Sequence, residues 1–239
     1  MMRRLLIILT CGCFPLSVYS ADNEIYIDQV GATLNLDAEQ LGNSNIIGGL
    51  NAAAGNMTPL DLDGLNLTID INQIGNSNQF LGDINGDNIT WDSTFDGDSN
   101  VFKIQVDPTN TFGADSGNYN IDVTGSSNTF DLNVGTSALS DTLDLDWTIM
   151  GDSNDLDFDI NYETGTSYVD IDGDSITVDF TGSGKDGGYF YLDATNDNRT
   201  FIIQQKSTLV SDWLKIITSG GNGGTVCIVQ DDNGTATGC

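Results

Sequence analysis

The chain has 239 residues, 35 of them acidic and seven basic, a net charge of −28, with no histidine. A surface this acidic repels nucleic-acid phosphates and anionic lipid headgroups, so nucleic-acid binding is excluded. Without histidine, a Ser-His-Asp arrangement and a His-based metal site are excluded too. Thirty-two of the acids are Asp and three are Glu. Asp with abundant Gly, Asn, Ser and Thr suits turns and solvated strand faces, and almost no helix is expected.

Residues 1–20 read as an export leader. Arg3 and Arg4 open it, Leu5 to Leu9 form an apolar stretch, Pro15 breaks that stretch, and Val18-Tyr19-Ser20 offers a cleavage site before Ala21. The apolar run is too short to span a bilayer. The mature chain is therefore expected to be secreted, extracellular or at the cell surface, with no membrane insertion after cleavage.

Residues 21–184 repeat. A Gly-x-x-Asn turn recurs at Gly42-Asn-Ser-Asn45, Gly75-Asn-Ser-Asn78, Gly97-Asp-Ser-Asn100, Gly125-Ser-Ser-Asn128 and Gly151-Asp-Ser-Asn154, and a fading copy starts at Gly173. Apolar residues alternate on both flanks, as in Tyr119, Ile121 and Val123 before Gly125, and Phe130, Leu132 and Val134 after Asn128. Period two marks a strand with one buried face. Gly64, Gly75, Gly86 and Gly97 are each 11 residues apart. Each half-unit then holds one strand and one turn, and about 22 residues make a coil. Such units cannot bury an apolar face alone and must stack, which predicts an all-β solenoid. A β-sandwich with frequent turns is the alternative; the fixed spacing and the repeated turn favour the solenoid.

Three turns carry Gln two residues before the Gly: Gln29-Val-Gly31, Gln40-Leu-Gly42 and Gln73-Ile-Gly75. Two extend to the full Gln-x-Gly-x-x-Asn, Gln40 to Asn45 and Gln73 to Asn78. This resembles the curlin repeat of bacterial curli fibre subunits, most closely over residues 25–106. The resemblance implies a two-sheet β-solenoid and an extracellular, self-assembling, amyloid-like fibre used in adhesion and biofilm matrix. It also implies an inward polar ladder of Gln29, Gln40, Asn45, Gln73, Asn78, Asn100, Asn128 and Asn154. An amide both donates and accepts, so copies in adjacent coils satisfy each other. In later turns the Gln position holds Phe95, Val123, Ile149 and Ile171.

From residue 185 to 239 the pattern becomes denser in apolar residues, with Tyr189-Phe-Tyr191, Phe201-Ile-Ile203 and Trp213-Leu-Lys-Ile-Ile217. This region reads as a β cap over the solenoid's open edge. The sharper reading is a binding head exposing Tyr189, Tyr191 and Trp213. Cys227 and Cys239 remain after leader removal, and in an exported chain a disulfide between them is expected.

For chemistry, only carboxylates remain, and the sequence argues against an enzyme. Asp155-Leu-Asp157-Phe-Asp159 and Asp170-Ile-Asp172-Gly-Asp174 place acids on one strand face. They read either as a solvated acidic face or, if coils align them, as oxygen ligands for Ca²⁺; no other cofactor is expected. The leading functional reading is a self-stacking structural or adhesive protein of the cell surface or matrix. The alternative is a monomeric surface or virus-encoded module that recognises a receptor or glycan through the C-terminal region.

Overall fold

The structure, a computed structural model, describes residues 23–25, 27–42, 44–48, 60–108, 115–135, 140–184, 188–195, 198–203, 213–221 and 223–229. Residues 1–20, expected to be a leader, and the insertion from Asn51 to Pro59 lie outside them. Sixteen strands run in chain order: β1 (Asn23–Ile25), β2 (Asp28–Val30), β3 (Thr33–Leu41), β4 (Ser44–Ile47), β5 (Leu60–Ile74), β6 (Ser77–Asp96), β7 (Ser99–Val106), β8 (Ser116–Thr124), β9 (Ser127–Val134), β10 (Ser140–Met150), β11 (Ser153–Asp172), β12 (Ser175–Gly184), β13 (Gly188–Thr195), β14 (Asn198–Ile203), β15 (Trp213–Ser219) and β16 (Val226–Ile228). No helix occurs among the described residues.

Every strand pairing is parallel, and the coils form a β-solenoid, as the repeat predicts. One wall is the ladder β1-β4-β6-β7-β9-β11-β12-β14-β16. It stacks the segment that follows each Asn, so Phe80, Phe102, Phe130, Leu156 and Val178 stand in one column. The other wall stacks the segment that precedes each Gly, aligning Ile69, Trp91, Tyr119 and Leu145. The long strands β5, β6 and β11 bend through a corner and serve both walls.

The alternation of the sequence becomes the burial pattern: β8 switches strictly between exposed and buried residues, and β9 between buried residues and exposed or half-buried ones. Side chains from both walls meet in one core. Phe102 stacks on Phe130 at 4.7 Å, Phe95 meets Phe102 edge-on at 4.3 Å, and Trp147 packs between Phe130 and Phe158. Each fully buried large apolar side chain contributes about 1.5–3 kcal/mol. This core is what offsets the charge repulsion of the outer surface.

The C-terminal β region, expected as a cap, extends the stack by two further strands on each wall. β13 and β14 lie on β11 and β12, and β15 and β16 lie on β13 and β14, all in parallel.

Candidate functional site

The Gly-x-x-Asn corners carry the most ordered polar feature of the molecule. Asn45 Nδ2 donates to Asn78 Oδ1 at 3.1 Å, Asn78 to Asn100 at 2.8 Å, Asn100 to Asn128 at 2.7 Å and Asn128 to Asn154 at 2.7 Å. All five side chains are buried. Each Nδ2 also donates to a backbone carbonyl, as Asn78 does to Gln73, Asn100 to Gly97 and Asn154 to Gly151. The ladder ends inside the stack, because the residue in register below Asn154 is Ile176.

The corner glycines make room for this. Backbone bonds run from Gly75 N to Asp96 O and from Gly125 N to Met150 O, which holds successive corners in contact. A Cβ at Gly151 would collide with the carbonyl oxygen of Gly125 and with Asn128 Nδ2. Gly42, Gly75, Gly97 and Gly125 occupy the same stacked position, and at Gly75, Gly97 and Gly125 the clash is again with the preceding corner's carbonyl. The sequence marks them as turn residues; the structure adds that the space between coils forbids a side chain.

The Gln ladder is shorter. Gln73 Nε2 donates to Gln40 Oε1 at 2.6 Å, and Gln40 and Gln73 donate to the backbone carbonyls of Ile46 and Gln79. The same column then continues as Phe95, Val123, Ile149 and Ile171. Gln29 does not join it. It stands in register with Leu62, on the opposite half of the coil, because it precedes the second corner of the coil rather than the first.

The outer face carries stacked carboxylates. Asp131, Asp157 and Asp179 share one column, and Lys103 above them bridges to Asp131 at 3.0 Å. Partial burial raises the Asp157 carboxyl above the usual carboxylate range, and the charges of Asp179 and Asp131 add to it. Burial likewise raises Asp61, Asp83, Asp146, Asp159 and Asp170. The coil corner opposite the Asn ladder adds a feature that sequence reasoning missed. Asp115 is raised by burial and then by the charges of Asp141, Asp87, Asp107 and Glu163. The signal was there: Asp87, Asp115, Asp141 and Glu163 each precede a residue of one register column, Asn88, Ser116, Thr142 and Thr164.

The six acids expected for calcium do not converge. Asp155, Asp157 and Asp159 lie on the outer face of one wall, and Asp170 and Asp172 on that of the other, with Asp174 at the corner beyond. The in-register neighbours of Asp155 are Thr129 and Thr177, and those of Asp159 are Asn133 and Thr181. Only Asp157 of that run has carboxylates on both sides. The alternation places each run on an outer strand face, but β11 turns a corner between them, so the two runs lie on different walls. Among the described residues no group of acids is arranged to hold a metal ion.

The C-terminal candidates do come together. Tyr189 and Trp213 are in register with Thr166, and Tyr191 with Tyr168 and Lys215. Tyr168 stacks on Tyr191 at 4.6 Å with nearly parallel ring planes, and Lys215 Nζ sits 4.7 Å from the Tyr191 ring centre. Tyr168 and Lys215 were not singled out from sequence, although Tyr168 precedes Tyr191 by one coil. Cys227 is buried in β16. Cys239 lies outside the described residues.

Exposed apolar side chains concentrate at the ends of the stack. Val30 and Leu41 belong to the first coils, and Trp213, Ile217, Val226 and Ile228 to the last. Leu41 also joins Ile74 and Met150 along a shallow groove of about 680 Å³ over the corner glycines. The chain matches no protein-family model, no curated protein and no solved structure. The fold and its surfaces define the class, a β-solenoid with an internal amide ladder and an acidic exterior.

Proposed function

We propose that the protein is an exported structural protein whose copies stack end to end, forming a surface or matrix filament in the manner of the curli subunits its repeats resemble. One observation carries this reading: among the described residues, both ends of the stack combine sheet edges with an incompletely covered apolar interior. Val226 and Ile228 are in register with the fully buried Phe201 and Ile203, yet they are 50% and 49% exposed. At the other end Leu34, Leu36 and Ala38 are only partly buried, while their partners Leu67, Ile69 and Ile71 are fully so. Among the described residues, β15 pairs only with β13 and β16 only with β14.

A parallel strand edge offers N–H and C=O groups spaced to accept another strand. A head-to-tail contact between the two different ends is heterologous and does not close, so it propagates as a filament. Repulsion between stacked carboxylates opposes the junction, which makes stacking sensitive to salt and acid. The amide ladder does not cross such a junction, because it ends above Ile176. It stiffens each subunit, and the apolar ends and backbone edges join subunits.

The test is negative-stain electron microscopy of the mature chain, residues 21–239, at low and high salt and with millimolar Ca²⁺. Filaments are expected at high salt. The double variant Val226→Lys/Ile228→Lys, with an unchanged circular dichroism spectrum, is expected to give short discrete particles. Discrete particles for the unaltered protein under every condition overturn the reading.

A further inference from the structure

The outward positions of this solenoid are mostly Asp, Asn, Ser and Thr, with scattered aliphatic residues such as Leu81, Val101 and Ile202. Among the described residues, all four outward aromatic rings fall on one wall within three successive coils: Tyr168, Tyr189, Tyr191 and Trp213. The remaining described aromatics point into the core. Core packing does not require these four, and Trp213 is 66% exposed. Exposed aromatic clusters on a rigid sheet mark recognition surfaces, because large flat rings give contact area at little entropy cost.

The cluster is organised in advance. Tyr168 and Tyr191 stack on each other, Lys215 caps the far face of that column, and the Tyr191 hydroxyl donates to Asp193 Oδ2 at 3.3 Å. Tyr189 and Trp213 form the parallel column beside it. The strands below fix the spacing between rings at about 4.8 Å per coil.

We propose that this platform binds an uncharged polysaccharide, laid along the stack axis with sugar rings against Trp213 and Tyr189. Charge chooses among the partners. Asp146, Asp170 and Asp193 surround the tyrosines closely enough to act on the Tyr168 hydroxyl, and the chain carries a net −28, so an anionic polymer is repelled. A cationic partner would seek a ring face among carboxylates, but Lys215 already holds the Tyr191 face and places a positive charge beside Trp213 on the last coil of the patch. A neutral sugar chain needs neither charge. Its C–H faces pack on the rings, and its hydroxyls donate to the Asp170 and Asp193 carboxylates. The platform faces outward from the side of its wall, and although its last strand, β15, is also the last strand of the stack, its rings do not point along the stack axis toward Val226 and Ile228.

The test uses the mature chain with insoluble cellulose, chitin and β-1,3-glucan, and with polylysine- and heparin-coated beads as charged controls. Retention on at least one neutral polysaccharide is expected. Trp213→Ala and Tyr189→Ala, outward changes checked by thermal melting, are expected to reduce it at least tenfold, and the Val226→Lys/Ile228→Lys variant is expected to keep it. A second readout is specific to the site. Trp91 and Trp147 are buried, so acrylamide quenching reports Trp213, and a soluble fragment of the retained polysaccharide is expected to protect it. No retention on any neutral polysaccharide, retention on polylysine or heparin alone, or full retention by Trp213→Ala each overturns the proposal.

Discussion

The inner corner and the outer face of this solenoid apply one rule with opposite results. In both, register places identical polar groups one above another. On the inside, Asn45, Asn78, Asn100, Asn128 and Asn154 form an unbroken chain of amide bonds. On the outside, Asp131, Asp157 and Asp179 stack with no bond between them, and partial burial, with the charges of its neighbours added, raises the central carboxyl. An amide is complementary to its own copy, whereas a carboxylate repels its copy. Burial amplifies both, because low dielectric strengthens a made bond and penalises an unmade one.

The strongest way to break the inner column is at its middle. Asn100→Ala removes the acceptor of Asn78 Nδ2 and the donor to Asn128 Oδ1, and leaves a gap at the corner. Two buried amides lose partners, at a cost of about 4 kcal/mol. The expected result is a clear fall in the guanidinium midpoint with an unchanged slope. A loss below about 1 kcal/mol would mean that the ladder follows from the fold rather than holding it.

The Gln column sharpens the contrast, because the protein already replaces it. Gln73 bonds Gln40 above it, but Phe95 lies below, and Gln73 Oε1 is buried without a donor. Gln73→Leu alone leaves Gln40 Oε1 without its donor and is expected to cost about 1.5 kcal/mol. Gln40→Leu/Gln73→Leu removes both amides and is expected to cost less than the single change, within about 1 kcal/mol of the parent. Equilibrium unfolding of the three proteins checks the non-additivity; a double variant weaker than the single one would show that these amides hold their coils as the asparagines do.

Much of this was legible before any coordinates. Alternation around Gly-x-x-Asn located the strands, and the inward Asn column is what the curlin resemblance implies, in keeping with each Asn lying two residues before an apolar position. The replacement of Gln by Phe95, Val123, Ile149 and Ile171 was readable for the same reason. What local pattern does not carry is which half of a coil a segment occupies. Gln29 has the local sequence of Gln40 but stacks on Leu62, since the two corners of a coil look alike from within. The two Asp runs share an alternation yet lie on different walls, because β11 turns a corner between them. The Tyr168, Tyr191 and Lys215 stack depends on register across connections of unequal length, so spacing alone hides it.

The outer column offers the subtlest test. Asp61, Asp83, Asp115, Asp146, Asp157, Asp159 and Asp170 are all raised, first by burial. A raised carboxyl binds its proton more tightly folded than unfolded, so the folded state gains protons first as pH falls. Stability is therefore expected to rise on acidification from neutral pH through the raised folded values toward the ordinary carboxylate range, where the gain is complete. The usual salt-bridged carboxylate behaves in the opposite way. Asp157→Asn removes the most crowded charge and puts an amide between Asp131 and Asp179, to which it can donate; a gain of about 0.5 kcal/mol at pH 7 is expected. That gain should shrink as pH falls, because the parent carboxyl then protonates and the repulsion disappears without the substitution. Thermal melts of both proteins from pH 7 to 4 check this. A gain that stays constant with pH would assign the effect to packing, and a parent that melts lower in acid would mean that the stacked carboxylates are not the dominant electrostatic cost of the fold.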